Sequence, residues 1–100
     1  MDTSTLKQIL IEEMEKYAGK GLNDYGYLTR NDVEQIYSVI VVAHVREKRF
    51  VSTVLVGRII ADAIVIEIDQ HDKMLVDALL ARDVPKEQII LACCGDAVPA

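Results

Sequence analysis

Apolar positions recur at two spacings. They fall every three to four residues near the start and again after position 70, and run nearly unbroken or alternate between 36 and 68. Leu6, Ile9, Leu10, Met14 and Tyr17 make one stripe, with Glu12, Glu13, Glu15 and Lys16 opposite, which predicts a helix over Leu6–Ala18. Thr5 and Gln8 have the spacing of a capping box, and Gly19 sits where a glycine ends a helix. The Gly, Asn and Asp content of Gly19–Asn31 predicts a polar loop, which contains Tyr25 and Tyr27.

From Ile36 the pattern becomes that of strands. IYSVIVVAHV is β-branched and nearly unbroken, as in a strand covered on both faces, so Ile36–Val45 is predicted as one strand. Arg46-Glu47-Lys48-Arg49 reads as a charged hairpin turn. Phe50–Ile60 follows as one long strand bent at Gly57, then a turn at Ala61-Asp62. In Ile64–Ile68 alternation places Ile64, Ile66 and Ile68 on one face, with Glu67 and Asp69 on the other. A second helix over His71–Arg82 carries Leu75, Val76, Leu79 and Leu80, with Asp69 as N-cap. Pro85 stops it, and Ile89–Cys93 reads as a last strand. Short connections imply antiparallel pairing, so the expected fold is α+β: an antiparallel sheet of about four strands with two helices packed on one face.

Composition narrows the function classes. With 100 residues and 51% apolar content, the chain suits a single domain, 1–100, with a core that needs neither metal nor disulfide. The longest apolar run is far short of a bilayer span and MDTSTLKQ has no apolar signal stretch, so a soluble, cytoplasmic protein is expected. Sixteen acidic and 11 basic residues give a net charge of −5. Non-specific duplex binding depends on clustered cations, so direct DNA binding is disfavoured; the one local concentration is Arg46, Lys48 and Arg49. Cys93 and Cys94 are adjacent, which suits neither a redox pair nor half a zinc site, and they read as reduced thiols.

Candidate chemistry is sparse. His44 and His71 are the only histidines. Asp69, His71 and Asp72 are a carboxylate-histidine-carboxylate group able to hold a divalent ion, but at a helix start capping explains Asp69 and the helix dipole explains Asp72. His44, inside an apolar strand, reads as a packed or strand-end residue rather than a general base. Ser38, Ser52 and Thr53 lack a nucleophile elbow, and Gly19-Lys20-Gly21 reads as a helix stop rather than a phosphate loop. Arg46, Lys48 and Arg49 are candidate contacts for a partner or nucleic acid, against the simpler reading of a solvated hairpin tip. No catalytic residue, cofactor or metal site is assigned, and His44, His71 and Asp72 remain a candidate polar site.

One stretch carries a resemblance. Asp69–Ala92, DQHDKMLVDALLARDVPKEQIILA, places a capped helix, a Val-Pro-Lys-Glu turn and an apolar strand in succession. This resembles the end of the XisI family, small proteins named as controlling factors for excision of a DNA element in cyanobacteria. There an Ile/Val-Pro-Lys-Glu-Asp/Gln-Ile-Val-Leu stretch follows a helix. Tyr37 through Val42-Ala43-His44, Lys48-Arg49-Phe50, Asp62-Ala63-Ile64-Val65-Ile66 and Glu15-Lys16-Tyr17-Ala18 are similar to further family segments. The departures are His44 where the family has tryptophan, Val56 for a strand histidine, His71-Asp72 for Thr-Glu, Cys93 for an aromatic, and an end at Ala100 short of the family's C-terminal segment.

The resemblance implies a non-enzymatic accessory protein of a DNA-element excision system, contacting a nuclease-like XisH-type partner. The competing classes are a small hydrolase using His44 or His71 and a DNA-binding factor using the Arg46–Arg49 turn. Val39, Val41, Val51, Leu55 and Val65 suggest a second apolar sheet face that this short chain cannot cover, so a homo-oligomer, by default a dimer, is expected.

Overall fold

Asp2 opens the first helix: its Oδ1 accepts the Thr5 backbone N–H at 2.8 Å. Helix α1 therefore spans Thr3–Glu15, starting earlier than the expected capping box at Thr5 and Gln8, and Gln8 donates to Glu12 instead. The structure, a computed structural model, describes residues 1–71 and 73–99. After α1 come strands β1 (Gly19–Lys20), β2 (Asp24–Asn31), β3 (Ile36–Val45), β4 (Lys48–Ile60) and β5 (Ala63–Asp69), then helix α2 (Leu75–Ala81) and strand β6 (Ile89–Leu91). Short 3₁₀ turns flank β6 at Lys86–Gln88 and Ala92–Cys94. No helix is long and apolar enough to cross a membrane.

The α+β architecture is as expected, but the sheet has six strands, ordered β1-β2-β3-β4-β5-β6. The first five pair antiparallel, and β6 joins β5 in parallel because α2 carries the chain back across. The expected loop at Gly19–Asn31 is largely strand. All eight β2 residues pair with β3, from Asp24↔Ala43 to Asn31↔Ile36, so a strongly β-forming neighbour overrides weak local propensity. The last strand ends at Leu91 rather than Cys93, where the backbone turns into a 3₁₀ segment.

Residues paired across antiparallel strands share a face, which fixes the two sides of the sheet. A Cβ on Gly57 would lie 3.0 Å from Leu10 Cδ1 and 3.3 Å from Met14 Sδ, so Gly57 lies directly under α1. Leu6, Leu10 and Met14 of α1, Tyr37, Val39, Leu55, Ile64 and Ile66 of the sheet, and Leu75 and Leu79 of α2 form one fully buried cluster. Burying each large aliphatic side chain contributes about 1.5–3 kcal/mol.

Two register shifts alter the faces that simple alternation predicts. One falls between Val39 and Ile40 opposite β4, the other between Val56 and Gly57 opposite β5. The second makes Glu67 the extra residue, so Ile68 pairs with Val56 on the outer face while Asp69 pairs with Leu55 on the helix face. This reverses the expected sides of Ile68 and Asp69. The expected second apolar face also changes composition: Val39 and Leu55 are core, Val41 lies on the helix side, and Val65 is outer but fully buried. Pro99 reaches the outer face beside Ile36, Arg58 and Ile60, so the C-terminal segment covers that end.

Past the core the sheet continues as an arm. From Val41 to Ser52 no side chain is fully buried, and the molecule measures 45 × 27 × 23 Å. The hairpin turn is Arg46-Glu47, with φ of +51° and +66°, the left-handed pair that a two-residue turn needs to match strand twist. Lys48 and Arg49 accordingly belong to β4 rather than to the turn.

Candidate functional site

Two places combine exposure with chemistry. The first is a cleft of about 960 Å³ where the end of α1 meets the β5–α2 connection, lined by Glu13, Lys16, Tyr17, His71, Lys73 and Asp77 among others. Glu13 is only 3% exposed and accepts from Lys16 Nζ at 2.8 Å and Arg82 Nη1 at 2.6 Å. Arg82 Nη2 also reaches Glu12 at 2.8 Å, tying α2 to α1. Burial pushes the Glu13 carboxyl up, yet the hydrogen bonds from Lys16 and Arg82 outweigh it and hold it below the ordinary glutamate value. Tyr17 donates its hydroxyl to the Lys73 carbonyl at 2.7 Å and meets the His71 ring edge-on at 4.5 Å. Burial, then the charges of Asp69, Glu13 and Asp77, raise the Tyr17 phenol above its ordinary value.

The expected polar group here is partly accounted for by capping. Asp69 Oδ2 accepts the Leu75 N–H at 2.7 Å and Oδ1 the His71 N–H at 3.2 Å, so the carboxylate serves the entry to α2 from a distance, while Met74 rather than the expected Asp69 occupies the N-cap position. It does so across a five-residue connection, which makes α2 shorter than the expected His71–Arg82. His71 Nδ1 is buried without a hydrogen-bond partner among the described residues. Asp72 lies outside the described residues. Among those described, no three His, Cys, Asp or Glu side chains converge for a metal. His44 sits on the arm, so the two histidines belong to different sites.

The second place is the arm, whose two sides differ. Its outer side carries Tyr25 and Tyr27 of β2, Ile40, Val42 and His44 of β3, and Arg49 and Val51 of β4, placed together by the pairs Tyr25↔Val42, Tyr27↔Ile40, His44↔Arg49 and Val42↔Val51. A shallow groove of about 450 Å³ runs here, lined by Lys20, Tyr25, Tyr27, Val42, His44 and Arg49 among others. The two tyrosine rings lie 4.7 Å apart, 44% and 52% exposed. The other side, beyond the reach of α1, presents Ala43, Val45 and Phe50, the last two 47% and 53% exposed.

Charge is segregated along the molecule. Of 11 cations and 16 acids, residues 19–27 and 42–51 hold four cations (Lys20, Arg46, Lys48, Arg49) and two acids (Asp24, Glu47). The body is thus strongly acidic and the arm basic. None of the four arm cations is ion-paired with a described residue. The structure therefore brings the sequence candidates His44, Arg46, Lys48 and Arg49 together on the arm and adds Tyr25, Tyr27 and Lys20, which the loop reading hid. Period-two spacing of Tyr25, Tyr27 and Thr29 was the available signal.

The protein is thus a two-layer α+β domain with a projecting β-arm. The family model described as XisI protein matches residues 1–97, and the chain belongs to that family. Two crystal structures share its fold. A XisI-like protein from Anabaena variabilis ATCC 29413 is 18% identical, with a TM-score of 0.68 over 88% of this chain and 80% of the other. The fdxN element excision controlling factor XisI from Anabaena variabilis ATCC 29413 is 22% identical, with a TM-score of 0.69 over 88% of each chain. No curated protein matches the chain.

Proposed function

We propose that this protein is a non-catalytic accessory factor in the excision of a DNA element, working inside the cell through protein contacts. Membership of the XisI family and the name of the fdxN excision controlling factor that shares its fold support the setting. The observation that carries the mechanism is the arm, whose apolar side leaves Val45 and Phe50 about half exposed among the described residues. A second copy covers that side, giving a two-fold dimer whose identical apolar strips meet. The assembled dimer then engages a nuclease-like XisH-type partner. The charged groups at and beside the helix-end cleft fit a structural role, because Glu13, Arg82 and Asp69 spend their hydrogen bonds on joining elements.

Co-purification of the tagged protein from its own host, followed by mass spectrometry, tests this. Recovery of a nuclease-like protein with the wild type, lost on Phe50→Glu, is the expected result. Turnover of a substrate by the purified protein alone, abolished by His71→Ala, would replace the accessory reading with the hydrolase one.

A further inference from the structure

The outer side of the arm has a use that a protein contact does not explain. Tyr25 and Tyr27 stand side by side on an open sheet face, and Lys20, His44 and Arg49 line the same groove. Arg46, in the turn, continues the positive charge to the hairpin tip, while Lys48, paired with Val45, lies on the other side. We propose that this face binds a single-stranded nucleic acid, with bases stacking on Tyr25 and Tyr27 and phosphates running along Lys20, Arg49 and, at the tip, Arg46.

Three features favour this ligand. Exposed aromatic faces beside uncommitted cations are what unpaired strands need, since every base has a π-face and every nucleotide a phosphate. A duplex hides its base faces in its own stack, so the tyrosines would find no partner there. The acidic body repels a long charged rod, whereas a flexible strand can stay on the arm. The site is also separate from the apolar side carrying Val45 and Phe50, so strand binding and self-association do not compete for the same surface.

The test is titration of the full protein with a labelled oligothymidylate of about 12 nucleotides, within the span that single-strand grooves cover. An oligouridylate and a duplex of the same length are run in parallel. Binding to either single strand in preference to the duplex supports the proposal, and the stronger of the two identifies the sugar. Three phosphate contacts predict a slope of log K against log salt of about −2, reduced by about 0.7 in Arg49→Gln. Tyr25→Ala with Tyr27→Ala should weaken binding about tenfold or more, while the paired Tyr→Phe variant, which keeps both rings, stays near wild type.

The chain has no tryptophan and four tyrosines, so quenching of tyrosine emission on binding reports stacking in the unmodified protein. Equal affinity for the duplex, unquenched emission, or undiminished binding by the folded alanine pair would overturn the proposal. Displacement of the oligonucleotide by polyglutamate as readily as by unlabelled oligothymidylate would also overturn it, because the arm would then read charge alone.

Discussion

Among the described residues, Glu13 is the one charged side chain carried into the interior, and its partners decide what that costs. A buried carboxylate is tolerable only when its oxygens are bonded, and here Lys16 and Arg82 supply three contacts. Because the folded carboxyl titrates below its ordinary value near 4.5, the unfolded chain binds that proton more readily. Stability from this group is thus complete above pH about 4.5 and drains as pH falls through the lower, folded value. Chemical denaturation across pH 3–7 should show that loss, and Arg82→Ala should flatten it while lowering stability near neutrality. An unchanged acid limb in Arg82→Ala would mean that other carboxylates set it. Sequence alone marked Glu13 as part of the polar side of α1, since nothing in helical spacing announces an arginine from the far end of the chain.

At the scale of elements, legibility followed how far each one depends on its neighbours. β3 has the expected limits, Ile36–Val45, because ten mostly β-branched residues specify a strand without help. β2 went unread because its Gly, Asn and Asp are weak formers and its pairing is supplied by β3. The bulge at Glu67 moved Asp69 and Ile68 across the sheet for the same reason: a register shift is a property of two strands, and alternation describes one. Of the arm, the basic residues were legible as a cluster, while the tyrosines needed the sheet to place them. Helix α2 was legible in position if not in length. Leu79 is fully buried in the cluster that also contains Ile64 and Ile66, so Leu79→Ala should cost about 2–5 kcal/mol in urea denaturation by leaving a cavity. A loss under about 1 kcal/mol would place α2 off the sheet.

For the whole molecule, the division between an acidic body and a basic, apolar-sided arm governs what it can meet. The body holds its helices by a continuous core and by Arg82. The arm is different: Val45 and Phe50 on one side and Val51 on the other are each about half exposed or more, apolar surface that isolated domains seldom leave open. Sheet pairing keeps that surface in shape, and the tight Arg46-Glu47 turn keeps the arm narrow enough to lie against another surface. Exposed β-arms invite association, and cations at the tip limit it by repelling uncontrolled edge-to-edge stacking. The proposed dimer would meet both demands, with the apolar sides together and Arg46 of each tip in solvent.

Sedimentation equilibrium at low micromolar concentration, comparing the wild type with Val45→Glu and Phe50→Glu, tests that arrangement most directly. A wild-type particle of twice the 11.2 kDa chain mass, reduced to a folded 11.2 kDa monomer by either substitution, is the predicted result. A wild type that sediments only at 11.2 kDa, or a dimer that both substitutions leave intact, would contradict it.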